Sequence, residues 1–203
     1  PNYAEAHSNL GVSLHDLGKL EEALANYHKA LGLKPDYAEA HHNLGITLQD
    51  LGRSEEAVAS YRRALDLKPE YAEAYNNLGL ALRALGKPEE AIASYHKALA
   101  INPDYAKAHS NLGVTLQALG RPEEAVASCQ KALSLQPDFD GAHNNLGLCL
   151  QDLGKLEEAV ASYRKALDIK PEYAEAHNNL GVVLRHLGKP EEAVASYRKA
   201  LDL

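Results

Sequence analysis

Residues 35–68 read PDYAEAHHNLGITLQDLGRSEEAVASYRRALDLK, and the same wording with substitutions begins again at Pro1, Pro69, Pro103, Pro137 and Pro171. The 203 residues are therefore five copies of 34 and one of 33. Fourteen of the 34 columns hold one residue type in all six copies. These are Pro at the first place, Ala at the sixth, Asn-Leu-Gly at nine to eleven, Leu at fourteen and Leu-Gly at seventeen and eighteen. Glu-Glu-Ala at twenty-one to twenty-three, Ala at twenty-five and Ala-Leu at thirty and thirty-one complete the set. A fixed period of this size means a stack of units in which each touches its neighbours, whatever domain count the length alone would suggest.

Each copy reads as two helices. In residues 35–68, Ala40, Leu44, Leu48 and Leu51 recur at three- and four-residue spacing, which is one face of a first helix. The proline before it bars continuation from the previous unit, and Gly52 ends it as glycine does just past a helix. A second helix opens with Pro-Glu-Glu at Pro88, Pro122 and Pro190. Proline suits a first helical position, and glutamates favour the positive end of the helix dipole. Ala57, Tyr61, Ala64 and Leu65 form its apolar stripe. The small residues let backbones approach while Tyr61 and Leu48 fill the gaps. No stretch alternates with period two, so strands are excluded. Twelve paired helices are expected, with turns at Gly18, Gly52, Gly86, Gly120, Gly154 and Gly188. The fifth copy should be the irregular one, because Asp140-Gly141 replaces Ala-Glu in its first turn and Gly costs ~1 kcal/mol of helix propensity against Ala.

Composition narrows the function. Charged residues make up 24% and apolar ones 45%, and no apolar run approaches the ~18–20 residues of a membrane span. A net charge of −7 gives no basic footprint for nucleic acid. Two cysteines make no disulfide framework, and nothing resembles a signal peptide, so a cytoplasmic setting with free thiols is expected. The sequence starts at Pro1 without any methionine and reads as a piece of a longer protein.

A 34-residue helix–turn–helix with Leu-Gly in the first helix, Ala and Tyr in the second and Pro at the boundary resembles the tetratricopeptide repeat (TPR). Ala57, Tyr61, Ala64 and Pro69 sit where that family keeps its Ala, aromatic, Ala and Pro. The resemblance covers the whole chain. It implies an all-α fold, a right-handed α-solenoid forming a single domain over 1–203. The repeats are 1–34, 35–68, 69–102, 103–136, 137–170 and 171–203. Two columns depart from the family: His7, His41, His109, His143 and His177 (with Tyr75) replace a large aromatic, and Cys129 replaces the second-helix Tyr. The wording Ala-His-Ser/Asn-Asn-Leu-Gly is similar to the superhelical arm of O-linked N-acetylglucosamine transferases, whose asparagine ladder grips substrate backbones. It also occurs in bacterial repeat proteins of other function.

In this family the first helices line the concave groove. The apolar seam of the first helix then leaves a stripe beside the Leu44/Leu48 face. Repeated through the copies it gives a ladder of Asn9, Asn43, Asn77, Asn111, Asn145 and Asn179. Beside it run Ser8, His42, Asn76, Ser110, Asn144 and Asn178, and then the apolar column Val12, Ile46, Leu80, Val114, Leu148 and Val182. His15, Gln49, Arg83, Gln117, Gln151 and Arg185 lie further out. An asparagine amide carries one acceptor and two donors, so it can pair with both the C=O and N–H of an extended peptide. The apolar column, notably Leu80, Val114 and Leu148, can hold that peptide's side chains. Alternatively each Asn ties its helix to a neighbour and meets no ligand.

Other chemistry finds little support. The histidine column places one ring per stacked unit ~8–10 Å apart, too far to converge on zinc with its ~2.0–2.1 Å bonds. No metal or cofactor is expected. The recurrent Glu-Glu pairs are dipole partners, and Cys129 stands in a core tyrosine column, so no catalytic constellation emerges. The family's carboxylate clamp needs five cationic and amide positions. The best window, His42, Ile46, Asn77, Lys107 and Asn111, supplies two. The leading expectation is a non-enzymatic scaffold that binds an extended peptide of a partner protein. Two others stand beside it: the targeting arm of a larger, glycosyltransferase-like enzyme, and head-to-tail self-association through uncapped terminal repeats. Neither nucleic acid nor membrane insertion is expected.

Overall fold

The computed structural model describes residues 3–203. Among them are twelve α-helices and no strand. By contacts the chain forms two compact units, Pro1–Pro103 and Asp104–Leu203, each holding three repeats. The first contains α1 (Ala4–Asp16), α2 (Leu20–Leu33), α3 (Ala38–Asp50), α4 (Ser54–Leu67), α5 (Ala72–Ala84) and α6 (Pro88–Ile101). The second contains α7 (Ala106–Ala118), α8 (Pro122–Leu135), α9 (Asp140–Asp152), α10 (Leu156–Ile169), α11 (Ala174–His186) and α12 (Pro190–Leu201). The two helices of each repeat pack on one another, and within each unit every second helix also packs on the first helix that follows it.

The turn inside each repeat has one design. Gly18, Gly52, Gly86, Gly120, Gly154 and Gly188 all take φ between 70° and 74°, and no non-glycine residue among those described has a positive φ. The next residue then donates back across the helix end, as Lys19 N does to Leu14 O at 2.9 Å and Arg53 N to Leu48 O at 2.8 Å. This closure satisfies carbonyls that a helix end leaves unpaired. The second helix starts one residue later with two glutamates in its first turn. Arg53 and Arg121 clasp Glu56 and Glu124 with paired contacts of 2.6–2.7 Å.

The Gly at the eleventh place answers to packing rather than to φ. A Cβ on Gly45, Gly79 or Gly147 would lie 2.5–2.6 Å from a ring carbon of Tyr61, Tyr95 or Tyr163. The tyrosine ring thus lies flat on the backbone of the first helix, and the two helices approach as closely as a ring allows. In the fourth repeat Cys129 takes the ring's place, with its Sγ 2.5 Å from the corresponding position on Gly113. Cys129 of α8 and Cys149 of α9 are both fully buried free thiols. They are hydrogen-bonded to each other, which raises Cys129 and lowers Cys149 relative to an ordinary thiol.

The fifth repeat is regular, contrary to expectation. α9 begins at the same place as the other first helices and has the same 13 residues. The ring of Phe139, where other copies have Tyr, approaches a Cβ position on Gly141 at 3.3 Å. That contact lies at the helix start, where the propensity penalty of Gly bears on one end of an otherwise packed helix.

Candidate functional site

The ladder lies on the first helices with the relation to its neighbours that the apolar seam dictates. Asn9 is exposed, and Asn43, Asn77, Asn111, Asn145 and Asn179 are half-buried. The adjoining column is different. Ser8, His42, Asn76, Ser110 and Asn144 are between 1% and 5% exposed, and only Asn178 is open. The spacing placed His42, Asn76 and Asn144 on the open face; they are buried in a layer beneath the ladder.

That layer has a chemical job. Asn77 Nδ2 lies 3.0 Å from His42 Nε2 in the first unit. In the second unit Asn145 Nδ2 donates to Ser110 Oγ at 3.0 Å, and Asn179 Nδ2 donates to Asn144 Oδ1 at 3.1 Å. All three pairs are separated by 35 residues, so one N–H of a ladder amide reaches an acceptor on the preceding first helix. Ser, His and Asn share one property here: each can accept. The column varies in identity and is constant in acceptor capacity.

An amide that spends one N–H on the stack keeps its second N–H and lone pairs on Oδ1. The Oδ1 of Asn77 also accepts from Asn76 Nδ2 at 3.2 Å. Stitching of neighbouring first helices is thus seen at Asn77, Asn145 and Asn179, and it uses one N–H of each amide.

Next to the ladder, Ile46, Leu80, Val114, Leu148 and Val182 are half-buried and Val12 is 39% exposed. Further out, polar side chains are tied together. His15 Nε2 meets Asp50 Oδ2 at 2.7 Å, and Gln117 donates to Asp152 at 2.7 Å. Gln49 and Gln151 accept from the hydroxyls of Tyr61 and Tyr163 at 3.1 and 3.3 Å. Arg83 and Arg185 are exposed.

The histidines of the seventh place do something else. Those of His41, His143 and His177 donate Nε2–H to the carbonyls of Pro35, Pro137 and Pro171 at 2.8–3.0 Å, closing the turn that opens their own repeat. No group of three or more His, Cys, Asp or Glu able to hold a metal occurs among the described residues. No helix among them is long and apolar enough to cross a membrane.

Two clefts were not foreseen from sequence. One, of about 460 Å³, lies between α4 and α6 over α5 and is lined by Leu65, Tyr75, Leu78 and Lys97. Lys97 stands 5.4 Å over the Tyr75 ring, and Arg62 reaches Glu90 across it at 3.3 Å. The other, of about 600 Å³, repeats the arrangement at α10, α11 and α12, with His177 in place of the tyrosine and Arg164 on Glu192 at 2.9 Å. The seventh-place column was the available signal, since its Tyr75 and His177 line the two clefts.

Family models agree with the repeat. A model described as TPR repeat matches residues 12–52, 47–86 and 79–120, and one described as tetratricopeptide repeat matches 104–172 and 138–203. The chain belongs to the tetratricopeptide repeat family. Solved TPR structures resemble it over most of their length. The MamA protein is 29% identical with a TM-score of 0.71, covering 85% of this chain and 94% of that one. YrrB, described as a TPR protein with an unusual peptide-binding site, is 28% identical with a TM-score of 0.65, covering 87% and 91%. PilW, a type IV pilus biogenesis factor, is 26% identical with a TM-score of 0.88, covering 95% and 90%. No curated protein matches this chain. A TPR chain with such neighbours is a protein-interaction scaffold.

Proposed function

We propose that the ladder face of the first helices binds an extended segment of a partner protein, reading its backbone through the asparagines and its side chains through the apolar column. The observation that carries this is the divided amide. Asn77, Asn145 and Asn179 each commit one N–H to the stack, which fixes the amide plane and leaves a donor and an acceptor in a set orientation. Pre-fixed groups lose little entropy on binding. The peptide-contacting set is Asn9, Asn43 and Asn77 with Leu80 in the first unit and Asn111, Asn145 and Asn179 with Val114 and Leu148 in the second, while His42, Asn76 and Asn144 act beneath it. Asn178, which is exposed, belongs with the contacting set. The peptide-binding site in YrrB's description supports a peptide ligand for a fold of this kind. No catalytic role is proposed.

The test is selection of ten-residue peptides from a random display library. Selected peptides are then titrated by fluorescence anisotropy against the wild type and a variant with Asn77, Asn111 and Asn145 replaced by Ala. Three lost bonds of ~0.5–1.5 kcal/mol each correspond to roughly ten- to thousand-fold weaker binding in a protein that circular dichroism shows to be folded. Unchanged affinity would move the site to the apolar column or off this face.

A further inference from the structure

We infer that His42 is a pH-dependent positioning residue of the ladder, setting which way the amide of Asn77 faces. This rests on the ladder reading for its functional consequence, but its structural content stands alone.

His42 is the only titrating residue in the layer beneath the ladder, whose other members are Ser8, Asn76, Ser110 and Asn144. Its imidazole is 5% exposed and engaged at both nitrogens. Nδ1 lies 2.9 Å from the hydroxyl of Tyr71 and Nε2 lies 3.0 Å from Asn77 Nδ2. The ring sits between Tyr71 and Tyr61, with centroids at 4.7 and 5.8 Å. A neutral imidazole carries one N–H. Because Asn77 offers an N–H to Nε2, the ring proton is on Nδ1, which donates to Tyr71.

Protonation changes this pair. Nε2 becomes a donor and faces a second donor, Asn77 Nδ2–H. The conflict is relieved by turning the Asn77 amide about its Cβ–Cγ bond so that Oδ1 accepts from Nε2–H. Asn76 then loses Oδ1 as its acceptor, and Asn77 presents N–H groups outward in place of a donor–acceptor pair. Charged and titratable groups face His42 from each packed element. Glu39 is on α3, Tyr61 on α4, Lys68 at the end of α4, Tyr71 at the start of α5 and Glu73 on α5. Burial holds the ring below the ordinary histidine range, while Glu73 and Glu39 pull upward and Lys68, paired with Glu39 at 2.9 Å, pulls downward. The neutral form is thus the state at neutral pH, and the cation is reached only below the ordinary histidine range.

The experiment is nitrogen NMR of the whole protein with labelled histidine and asparagine side chains, titrated downward from about pH 8, through and below the ordinary histidine range, until the His42 ring nitrogens report the cation. The expected result is an Nδ1–H tautomer for His42 at the alkaline end, and Asn77 side-chain amide signals that shift with the midpoint of His42. In His42→Asn, which copies Asn144 beneath Asn179, the Asn77 signals should no longer follow pH. His42→Ser, which copies Ser110 beneath Asn145, serves if that variant does not fold. An Nε2–H tautomer, or Asn77 signals indifferent to the His42 titration, would overturn the inference. A peptide selected on the wild type adds the functional arm. Its affinity should fall about two- to ten-fold between about pH 7.5 and the pH at which the NMR titration finds His42 protonated in the wild type, and stay level over the same interval in His42→Asn. If the NMR coupling holds and affinity is level in both, the peptide does not meet Asn77. The ladder reading then fails while the His42 device stands.

Discussion

Replacing Asn145 by Ala removes the N–H that reaches Ser110 Oγ at 3.0 Å. Ser110 is 2% exposed, so water does not readily replace the lost donor. The bond itself is worth ~0.5–1.5 kcal/mol, and Ala returns up to ~0.7 kcal/mol because it is the better helix former. The single variant should therefore lose only about 0–1 kcal/mol, which alone would not distinguish stitching from idleness. The double-mutant cycle with Ser110→Ala does. Helix propensity cancels in the cycle, so the coupling between the two positions should approach the bond's own ~0.5–1.5 kcal/mol. Urea unfolding of the four proteins by far-UV circular dichroism, with midpoints compared at a common slope, measures it. Additivity within about 0.3 kcal/mol would refute the stitching role of the ladder and of the layer beneath it.

Two glycine substitutions should act in opposite directions. Gly147→Ala sets a Cβ 2.5 Å from the Tyr163 ring and should destabilise by up to ~2 kcal/mol, after an overpacking cost of ~1–3 kcal/mol is offset by ~1 kcal/mol of helix propensity. Gly32→Ala meets nothing within 4 Å and should stabilise by ~0.5–1 kcal/mol; equal signs in chemical unfolding would contradict the packing argument. Thiol titration of the denatured protein should find both Cys129 and Cys149, with slow labelling before denaturation; finding none would show that the pair is oxidised. His41 and His42 both lie below the ordinary histidine value, chiefly through burial, so the unfolded chain binds protons more readily than the folded one. Stability should then be full above about pH 6.5 and fall as pH drops through it, and His42→Asn should flatten part of that fall; a fall of the same size in the variant would count against a buried neutral His42.

Much of the fold was legible because the repeat states it six times. The turn glycines could be placed from position alone, since a single left-handed residue after a regular apolar stripe has one common use. The eleventh-place glycine was legible as a small residue, but its reason lies in the Tyr61 type of ring sixteen residues away. The fifth repeat teaches the same lesson: propensity marked it as weak at Gly141, and α9 nevertheless has the start and length of the other first helices. At the site, spacing put the ladder and the adjoining column together on the open face, and five of the six residues of the adjoining column are buried. A helical wheel gives the angle of Asn144 on its own helix and nothing of how far the preceding first helix overlaps it. The 35-residue pairing was visible only as two adjacent columns of acceptor and amide. His41, His143 and His177 turned to proline carbonyls and His7 to Asn26, which no pattern of histidines by itself announces.

The claim that the ladder reads backbone is tested most directly on the ligand, because altering the ligand leaves the stitched protein intact. A peptide selected on the wild type is resynthesised with backbone N-methyl groups at successive single positions, and all side chains unchanged. Ladder amides on neighbouring first helices, ~8–10 Å apart, meet an extended chain at about every third residue. Affinity measured by anisotropy should then fall about two- to ten-fold per methylated residue at every third position and change little between them. Loss of affinity that tracks side-chain replacement, with N-methylation tolerated at every position, would contradict it.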